Sequence, residues 1–248
     1  MNTLRQRSSL LAALFALLLS APAFAGTATT VVLHSDSTHS FRVYVNGPEN
    51  APRGILVVHG WWGLTDQVKA GADQFAALGY RAMAIDLYDG RVATTPDKAR
   101  SYMNSVQQAE ANRKFRAALK ALQKPGRKVA AMGWSFGATQ ALQATLADPG
   151  TVAATVMYYP HGIVLKPGND LASLRGSVLV LRARMDSPSN IKETTRFIQA
   201  AKKLGKSVVE HTYDAKHGFA NPAVKHYNAH ATDAAWRRTT DFLDAQLK

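Results

Sequence analysis

Residues 133–137 read Gly-Trp-Ser-Phe-Gly and place Ser135 between two glycines in the pattern Gly-x-Ser-x-Gly. An apolar run at residues 129–132 precedes this segment, and a stretch with helical periodicity at residues 138–146 follows it. In such a strand–turn–helix setting the turn requires flanking glycines, and the serine hydroxyl is exposed in a strained backbone conformation. The pattern therefore predicts that Ser135 is a nucleophile. A nucleotide-binding turn is disfavoured, because neither Gly-x-Gly-x-x-Gly nor Gly-x-x-x-x-Gly-Lys-Ser/Thr occurs in the chain.

A serine hydroxyl is a weak nucleophile until a base takes its proton, so a histidine and an orienting carboxylate are expected later in the chain. His217 follows an alternating apolar segment, and Asp186 ends the preceding strand pattern. Both positions are the carboxyl ends of predicted strands, where sites on open α/β sheets lie. The order serine, acid, histidine also accompanies this type of turn. Asp86, which precedes the serine, and Asp214, three residues before His217, are weaker candidates.

The negative charge that develops on a carbonyl oxygen during attack needs hydrogen-bond donors. One donor is expected to be the backbone N–H of Phe136, at the N-terminus of the following helix, where the helix dipole favours negative charge. The second is expected from the loop after an earlier strand. Residues 59–64, His-Gly-Trp-Trp-Gly-Leu, form such a loop after the apolar run 55–58, and Trp61 is the predicted donor. The tryptophan rings can pack in the core or wall a pocket while the backbone donates.

Five further side chains are expected to line a substrate pocket near these positions. Trp62, Tyr88 and Tyr159 are aromatic and favour a neutral, apolar acyl group. His161 follows Tyr-Tyr-Pro at the end of a predicted strand and could line the same pocket. Arg91 lies just beyond Tyr88 and could hold a substrate carboxylate.

The sequence does not indicate a metal site or a cysteine nucleophile. The chain has no cysteine, which excludes disulfides, cysteine nucleophiles and cysteine-containing zinc sites. His226 and His230 are four residues apart in a helical pattern, but no Glu, Asp or Cys accompanies them in a ligand motif. They are better explained as solvated helix residues. We expect no metal and no organic cofactor.

Strands and helices that would position these residues alternate along the chain. Strand patterns cover residues 55–58, 82–85, 129–132, 153–157, 178–181 and 208–213, and helical patterns cover residues 68–78, 96–122, 138–146, 191–204 and 222–247. Most of the strands are apolar on both faces, which is typical of a mostly parallel sheet with helices on both sides. Two short β-branched segments, 31–33 and 41–45, predict an antiparallel pair at the start. Residues 161–173 form the one long irregular segment, a small lid or a surface loop.

The first 25 residues have the three-part pattern of a signal peptide. Arg5 and Arg7 form a basic start, residues 10–19 are apolar, and residues 23–25 read Ala-Phe-Ala, a small-x-small cleavage site. We expect cleavage after Ala25, with residues 26–248 forming a single exported domain, periplasmic or secreted. A buried N-terminal helix is the less favoured alternative. No segment approaches the roughly 20 apolar residues of a membrane span, so none is expected.

An excess of 30 Lys and Arg over 17 Asp and Glu, a formal net charge of +13, raises the question of an anionic partner. Five basic residues recur at helical spacing on what we call the basic face: Arg113, Arg116, Lys120, Lys124 and Arg127. This face is most simply a solvated surface. A polyanion such as an anionic envelope polymer is the alternative partner. Nucleic acid is not expected, because the protein is predicted to be exported and no aromatic residues interleave the basic ones.

Six features, in one order along nearly the whole chain after residue 25, resemble the dienelactone hydrolase family of α/β-hydrolases. They are the His-x-Trp-Trp-Gly-Leu turn at 59–64, Asp-Leu-Tyr at 86–88, the Gly-x-Ser-x-Gly turn, Asp186, His-Gly-Phe at 217–219 and Ala-Trp-Arg-Arg-Thr at 235–239. The resemblance implies an α/β-hydrolase fold with a sheet of about eight strands. It also implies ester or lactone hydrolysis by a triad of Ser135, Asp186 and His217.

This chain departs from the founding members of that family at three positions. They have a cysteine where Ser135 stands, a glutamate where Gly60 stands and an arginine where Asn221 stands. The last two changes remove charged groups linked with nucleophile control and with binding of a substrate carboxylate, for which Arg91 could partly substitute. We therefore expect small neutral esters to be preferred over carboxylate-bearing lactones.

Two hypotheses of different kinds follow. The leading one is an exported serine hydrolase, a monomer, that acts on a small-molecule ester or lactone through an acyl-enzyme. The other is a non-catalytic protein that binds a polyanion on a hydrolase scaffold, since a fold does not guarantee an activity. The intact order of Ser135, Asp186 and His217 favours the enzyme.

Overall fold

The computed structural model describes residues 27–163 and 171–248, where strands and helices alternate in the predicted order. The strands are β1 (Thr29–His34), β2 (Ser40–Asn46), β3 (Arg53–Val58), β4 (Tyr80–Ile85), β5 (Lys128–Trp134), β6 (Val152–Tyr158), β7 (Ser177–Met185) and β8 (Val208–Lys216). The helices are α1 (Asp66–Ala77), α2 (Pro96–Ser105), α3 (Gln108–Leu122), α4 (Phe136–Ala147), α5 (Pro188–Lys203) and α6 (Ala229–Gln246). The predicted signal peptide, residues 1–25, lies outside the described residues.

The strands form one eight-stranded sheet in the order β1-β2-β4-β3-β5-β6-β7-β8. β1 pairs with β2, and β2 with β4, in antiparallel fashion, while every pair from β4 to β8 is parallel. The predicted α/β class, with its antiparallel opening pair and mostly parallel sheet, is confirmed. Because the chain moves from β3 to β4 on one side and returns to β5 on the other, the strand order reverses between β3 and β5. Ligands bind open α/β sheets at the carboxyl ends of strands at such a switch point.

Both faces of the central strands are buried, as the continuous apolar runs predict. In β3, Ile55 and Val57 pack in a cluster with Phe75 of α1 and Leu243 of α6, while the alternate residues Leu56 and Val58 pack on the other face. Phe115 and Leu119 of α3 belong to that second cluster. Side chains alternate between the two faces of a strand, and here both sets are apolar, so helices must cover both sides of the sheet.

The helical stretch predicted over residues 96–122 is two helices. Val106 and Gln107 take extended backbone conformations, each with ψ near 114°, so that α2 ends at Ser105 and α3 begins at Gln108. The break lets Tyr102, Met103 and Val106 pack against the same cluster as α3. Periodicity alone did not reveal this change of direction, because both helices bury their apolar residues in one cluster.

The final helix begins at Ala229 and not at Pro222. Asn228 caps it, since its side-chain oxygen accepts a hydrogen bond of 3.0 Å from the backbone N–H of Ala231. The preceding residues form turns, and the N–H of Asn228 donates to the carbonyl of Phe219 at 3.0 Å. His226 therefore lies outside the helix, and the predicted helical spacing of His226 and His230 is wrong.

The irregular segment predicted at residues 161–173 falls partly outside the described residues, which resume at residue 171 with a short 3₁₀ turn, Leu171–Ser173. The lid suggested for this segment therefore stays a prediction. No helix in the described parts of the chain has the length and apolar character needed to cross a membrane.

Candidate active site

The site residues follow directly after strands at one edge of the sheet. Ser135 comes after β5, Asp186 after β7 and His217 after β8, while His59 comes after β3. These strands are all parallel, so their carboxyl ends lie on the same side of the molecule. Residues that are far apart in sequence are thereby brought together at the switch point.

The turn at Ser135 is held in a strained conformation by its two glycines. Ser135 has φ of 57° and ψ of −121°, outside the regions that non-glycine residues commonly occupy. A Cβ atom on Gly133 would lie 2.2 Å from the carbonyl oxygen of Gly137, and one on Gly137 would lie 2.3 Å from that of His59. Only glycine fits at either position. The backbone N–H of Ser135 donates to the carbonyl of Tyr158 on β6 at 2.9 Å, which ties the turn to the sheet.

The structure brings together the three residues predicted to form a triad. The Ser135 Oγ and His217 Nε2 atoms are 2.8 Å apart. The other ring nitrogen of His217, Nδ1, lies 2.8 Å from Asp186 Oδ2. A proton on Nδ1 that is donated to the carboxylate leaves Nε2 free to accept the serine proton, which is the arrangement of a general base.

Asp186 is held as a carboxylate. Burial, which leaves its side chain 6% exposed, would raise its pKa, but hydrogen bonds from His217, Asn190 and the Ser187 N–H outweigh burial and hold the pKa below its ordinary value. Its Oδ1 atom accepts from the Ser187 N–H at 2.7 Å and from Asn190 Nδ2 at 2.8 Å. Because Oδ1 is occupied in this way, Oδ2 is left to His217.

Asn190 was not predicted, although it lies at the centre of this network. It occupies the first turn of α5, whose N-cap residue Ser187 accepts the Asn190 backbone N–H at 3.3 Å, and it is only 6% exposed. Its Oδ1 atom lies 3.0 Å from Nδ1 of His161. The Ser-Pro start of a helix is visible in the sequence, but nothing in the local pattern distinguishes Asn190 from its polar neighbours.

His161 lies beside the triad, and its backbone is tied to the nucleophile turn. Its N–H donates to the Ser135 carbonyl at 3.2 Å, and its own carbonyl accepts from the Thr139 hydroxyl at 2.7 Å. The ring centroids of His161 and His217 are 6.2 Å apart. A second imidazole is therefore held next to the base, as a pocket residue.

The turn after β3 is shaped by a buried histidine that was also not predicted as a functional residue. His59 is fully buried; its Nδ1 atom lies 2.7 Å from the Gly60 carbonyl, and its Nε2 atom accepts from the Leu87 N–H at 3.1 Å. Burial lowers the pKa of His59, and the ring is therefore a neutral imidazole that donates from Nδ1. A histidine directly after an apolar strand and before a glycine was the available signal.

The two predicted oxyanion donors lie on the two sides of the switch point. Trp61 belongs to the turn that His59 shapes, and it lines the same cavity as Ser135. Phe136 is the first residue of α4, and the first N–H groups of a helix have no partner within it. Gly63, at φ of 95°, closes the Trp61 turn with a 3.2 Å hydrogen bond from its N–H to the Gly60 carbonyl.

A cavity of about 1270 Å³ opens over the triad. Of the residues predicted to line a pocket, Trp62, Tyr159 and His161 line it, together with Ser135 and His217. Tyr159 is strained, with φ of 35°, and its ring centroid lies 5.1 Å from that of His217. Burial raises the pKa of Tyr159, so its hydroxyl stays protonated.

Tyr88 and Arg91 lie elsewhere, contrary to the prediction. The carboxylate of Asp86 accepts the backbone N–H of Tyr88 at 2.8 Å, and the Tyr88 ring is fully buried, with its centroid 4.5 Å from that of His59. The exposed Arg91 stacks its guanidinium 4.6 Å from the Tyr102 centroid and donates from Nε to the Tyr88 carbonyl at 2.8 Å. Among the described residues that line the cavity, neither side chain is present.

His226 lines the cavity from the loop before α6, whereas His230 is an exposed residue of that helix. Within residues 27–163 and 171–248, no group of three or more His, Asp or Glu side chains is arranged to hold a metal ion.

Comparison with known proteins places the chain among hydrolases. Residues 41–247 match the sequence profile of the dienelactone hydrolase family. The protein usf of Aquifex pyrophilus is 26% identical over 218 residues, which cover 83% of this chain and 94% of that protein.

Solved structures of related fold extend over nearly the same range. The structure named m3DLH has a TM-score of 0.78 at 23% identity and covers 89% of this chain and 98% of its own. The dienelactone hydrolase-like promiscuous phosphotriesterase P91, from metagenomic libraries, has a TM-score of 0.75 at 24% identity, over 90% of this chain and 99% of its own. The propionate-bound esterase Est2 of Thermogutta terrifontis has a TM-score of 0.64 at 18% identity, over 88% and 94%. The family match, which includes the nucleophile turn and both of its partners, shows that the chain belongs to the dienelactone hydrolase family.

Proposed function

We propose that this protein is an exported serine hydrolase that cleaves carboxylic esters or lactones through an acyl-enzyme. One observation carries the proposal, namely the continuous hydrogen-bonded chain from Ser135 through His217 to Asp186, with both links at 2.8 Å. It supplies a nucleophile, a base and an orienting carboxylate at the mouth of a cavity large enough for a small-molecule substrate.

In the first half of the reaction, Ser135 Oγ attacks the ester carbonyl while His217 Nε2 takes its proton. The carbonyl oxygen becomes an oxyanion, which the backbone N–H groups of Trp61 and Phe136 stabilise. Asp186 stabilises the imidazolium that forms and keeps the ring in the correct tautomer. His217 then gives the proton to the departing alkoxide oxygen, which leaves as an alcohol.

In the second half, water attacks the acyl-enzyme. His217 removes a proton from the water, and the same two N–H groups stabilise the second oxyanion. When this intermediate collapses, the bond between the acyl carbon and Ser135 Oγ breaks, His217 returns the proton to Oγ, and the carboxylic acid is released. The strained Ser135 backbone, held by Gly133 and Gly137, keeps Oγ in place throughout.

Neutral esters are the proposed substrates, in preference to carboxylate-bearing lactones. Gly60 and Asn221 both line the cavity, and neither carries a charge. Arg91, the residue that could have substituted for a missing cation, stacks on Tyr102 outside the cavity. Neither Gly60 nor Asn221 can therefore act as a charged partner for a substrate carboxylate. Arg100 of α2 is the Arg that the described lining of the cavity does contain, and it lies outside these two positions.

Export is proposed on the pattern of residues 1–25 alone. Expression of the full chain in a diderm bacterium, followed by N-terminal sequencing of the protein released from the periplasm, should give a chain that starts at Gly26. Retention of Met1 in a cytoplasmic product would contradict it.

Labelling with a fluorophosphonate probe tests the serine mechanism directly. The probe should label the mature, folded protein at Ser135, the Ser135→Ala variant should not be labelled, and the exposed control Ser101→Ala should be labelled like the wild type. A folded wild-type protein that resists the probe, or that is labelled at another serine, would refute the proposal.

The non-catalytic alternative gains no support from the five basic residues. Helix α3 ends at Leu122, so Lys124 and Arg127 lie beyond it and the prediction of one continuous basic helix face is wrong. Arg113 pairs with Glu110, and Lys124 Nζ lies 2.8 Å from a carboxylate oxygen of Glu49. Arg127 donates to the carbonyls of Leu122 and Ala51 at 2.7 and 2.8 Å. Three of the five basic side chains thus have partners within the protein, which accounts for these three without a polyanion.

A further inference from the structure

The cavity that opens over the triad is also lined by residues of α1 and α6. We call this part of the cavity the α1–α6 groove, and it is lined by Gly71, Gln74, Trp134, Thr232 and Trp236. The whole cavity, of about 1270 Å³, exceeds the roughly 300–1000 Å³ that holds a drug-sized ligand. An acetyl or butyryl ester would leave most of it unfilled.

Two half-buried tryptophans form the apolar surface of the groove. Trp134 precedes the nucleophile, and its ring centroid lies 6.0 Å from that of Tyr158. Trp236 packs against Phe75 of α1, with the ring centroids 4.9 Å apart. Each indole is thus fixed from the core side and presents its remaining surface to the groove. Large apolar side chains that line a concave surface next to a nucleophile are typical of a substrate site.

Helix α1 comes close to Trp134 at Gly71, which has no side chain. A Cβ atom on Gly71 would lie 3.0 Å from Trp134 Cη2, so the absence of a side chain lets the indole lie directly against α1. A glycine inside a helix is unfavourable by itself. Its position here is explained by the close approach of Trp134.

The five residues that define the groove carry no charge, which favours a neutral ligand group. Among the described residues of α1 and α6 that line the cavity, Asp66 and Asp233 are the charged ones, and both are acidic. Asp66 is fully solvated and pairs with Lys69 at 2.9 Å. No Lys or Arg of these two helices is among the described residues that line the cavity, and the Arg that does line it, Arg100, belongs to α2. The groove therefore offers an anionic group no cationic partner from α1 or α6.

We propose that the α1–α6 groove binds an extended, neutral apolar group of the ester, longer than a butyryl chain, against Trp134 and Trp236. This inference rests on the proposed esterase function and replaces the sequence-based expectation of small substrates by one of long-chain or bulky apolar esters. The group can belong to the acyl part or to the alcohol part of the ester, and the two sources are separable by experiment.

The first experiment measures kcat/KM for two homologous series, kept below their micellar concentrations. The acyl series runs from 4-nitrophenyl acetate to 4-nitrophenyl decanoate, and the alcohol series from ethyl acetate to decyl acetate. A fully buried methylene strengthens binding by about fourfold, so even partial burial should raise kcat/KM at least about tenfold along one series. Values that are flat or fall beyond the four-carbon member in both series would overturn the proposal.

The second experiment compares a variant whose groove is filled by a new side chain with a control variant that carries the same side chain outside the cavity. Gln74→Trp places an indole in the groove from an exposed position of α1, whereas Ala77→Trp places one on the same helix outside the cavity. Gln74→Trp should lower the ratio of kcat/KM for the ten-carbon over the two-carbon substrate by about tenfold or more, while Ala77→Trp should leave that ratio unchanged. Equal ratios in the two variants would contradict the proposal.

Binding without turnover separates the groove from the chemistry. The Ser135→Ala variant, shown to be folded by circular dichroism, is titrated with methyl decanoate and with methyl acetate while tryptophan fluorescence is recorded. Saturable binding of the decanoate alone supports the groove even if fluorophosphonate labelling has refuted the esterase. Failure of the decanoate to bind, in an enzyme that does turn over acetate esters, overturns the groove and leaves the proposed function standing.

Discussion

Asn190 decides which oxygen of Asp186 is free for the base. Its amide donates to Oδ1 at 2.8 Å, and its own oxygen pairs with His161 at 3.0 Å, so a single buried side chain connects both imidazoles to the acid. A carboxylate with Oδ1 unoccupied can rotate away from the geometry that His217 needs. Asn190 therefore acts through Asp186, as a positioning residue.

Replacement of Asn190 by leucine, which keeps the approximate volume and removes both hydrogen bonds, should lower kcat by about 10- to 100-fold with little change in KM, because small misplacements of a catalytic group cost about that much. Asn190→Gln should recover part of kcat. The control Thr194→Val changes another buried polar residue of α5 and should leave kcat unchanged. Steady-state kinetics on 4-nitrophenyl acetate decide the matter, and wild-type kcat in Asn190→Leu would show that Asn190 is only structural.

Among the elements of the fold, the β5–α4 turn depends most strictly on its sequence. Gly137 packs its Cα against the end of β3, and an added Cβ would lie 2.4 Å from the Val58 carbonyl oxygen as well as 2.3 Å from that of His59. Val58 is the last residue of β3, a central strand paired on both sides, and His59 follows it directly, so neither carbonyl can move without disturbing the sheet.

Gly137→Ala should accordingly lower the free energy of unfolding by about 3 kcal/mol or more, since overpacking against rigid backbone is among the costly core changes. Gly150→Ala is the matched control, because its Cβ would meet nothing closer than 3.9 Å, and it should change stability by less than about 0.5 kcal/mol. Urea unfolding of both variants provides the measurement. A Gly137→Ala variant as stable as the wild type would mean that the turn can move away from β3.

At the scale of the whole molecule, the buried His59 makes the free energy of unfolding depend on pH. Burial lowers its pKa, an effect that the nearby Lys114 reinforces and Asp86 opposes, so the folded protein keeps the ring neutral where the unfolded chain takes up a proton. The unfolded state thus binds more protons than the folded state below about pH 6.5, the ordinary histidine value. The neutral His59 ring therefore costs no free energy of unfolding above that pH, and the free energy of unfolding decreases as the pH falls below it.

The free energy of unfolding of the wild type should therefore decrease from pH 7.5 to pH 5.5 more steeply than that of His59→Gln, which carries no titrating ring and is less stable throughout. Val57→Ala serves as the control, because this apolar truncation lowers stability by a similar amount at every pH and should leave the slope of the wild type intact. Denaturant titrations at four pH values give the slopes. Equal slopes in the wild type and His59→Gln would contradict a neutral buried His59.

The sequence by itself determined the strand and helix order, the mostly parallel sheet and the turn that carries Ser135. These features depend on interactions between near neighbours. Burial on both faces of a strand shows as a continuous apolar run, and the tight strand–helix turn requires glycine at positions two residues from the serine. His217 and Asp186 were also predictable, because chain order and the end of a strand suffice to place a residue at the carboxyl edge of a parallel sheet.

Only the tertiary structure decided which other side chains face the site. The Tyr88 ring is buried against His59 instead of facing the cavity, and Asn190 reaches the acid because α5 starts shortly after β7. The groove between Trp134 and Trp236 exists because β5 and α6, which are far apart in sequence, pack on the same face of the sheet. Such placements depend on how distant elements pack in three dimensions, and that information is absent from any local pattern of residues.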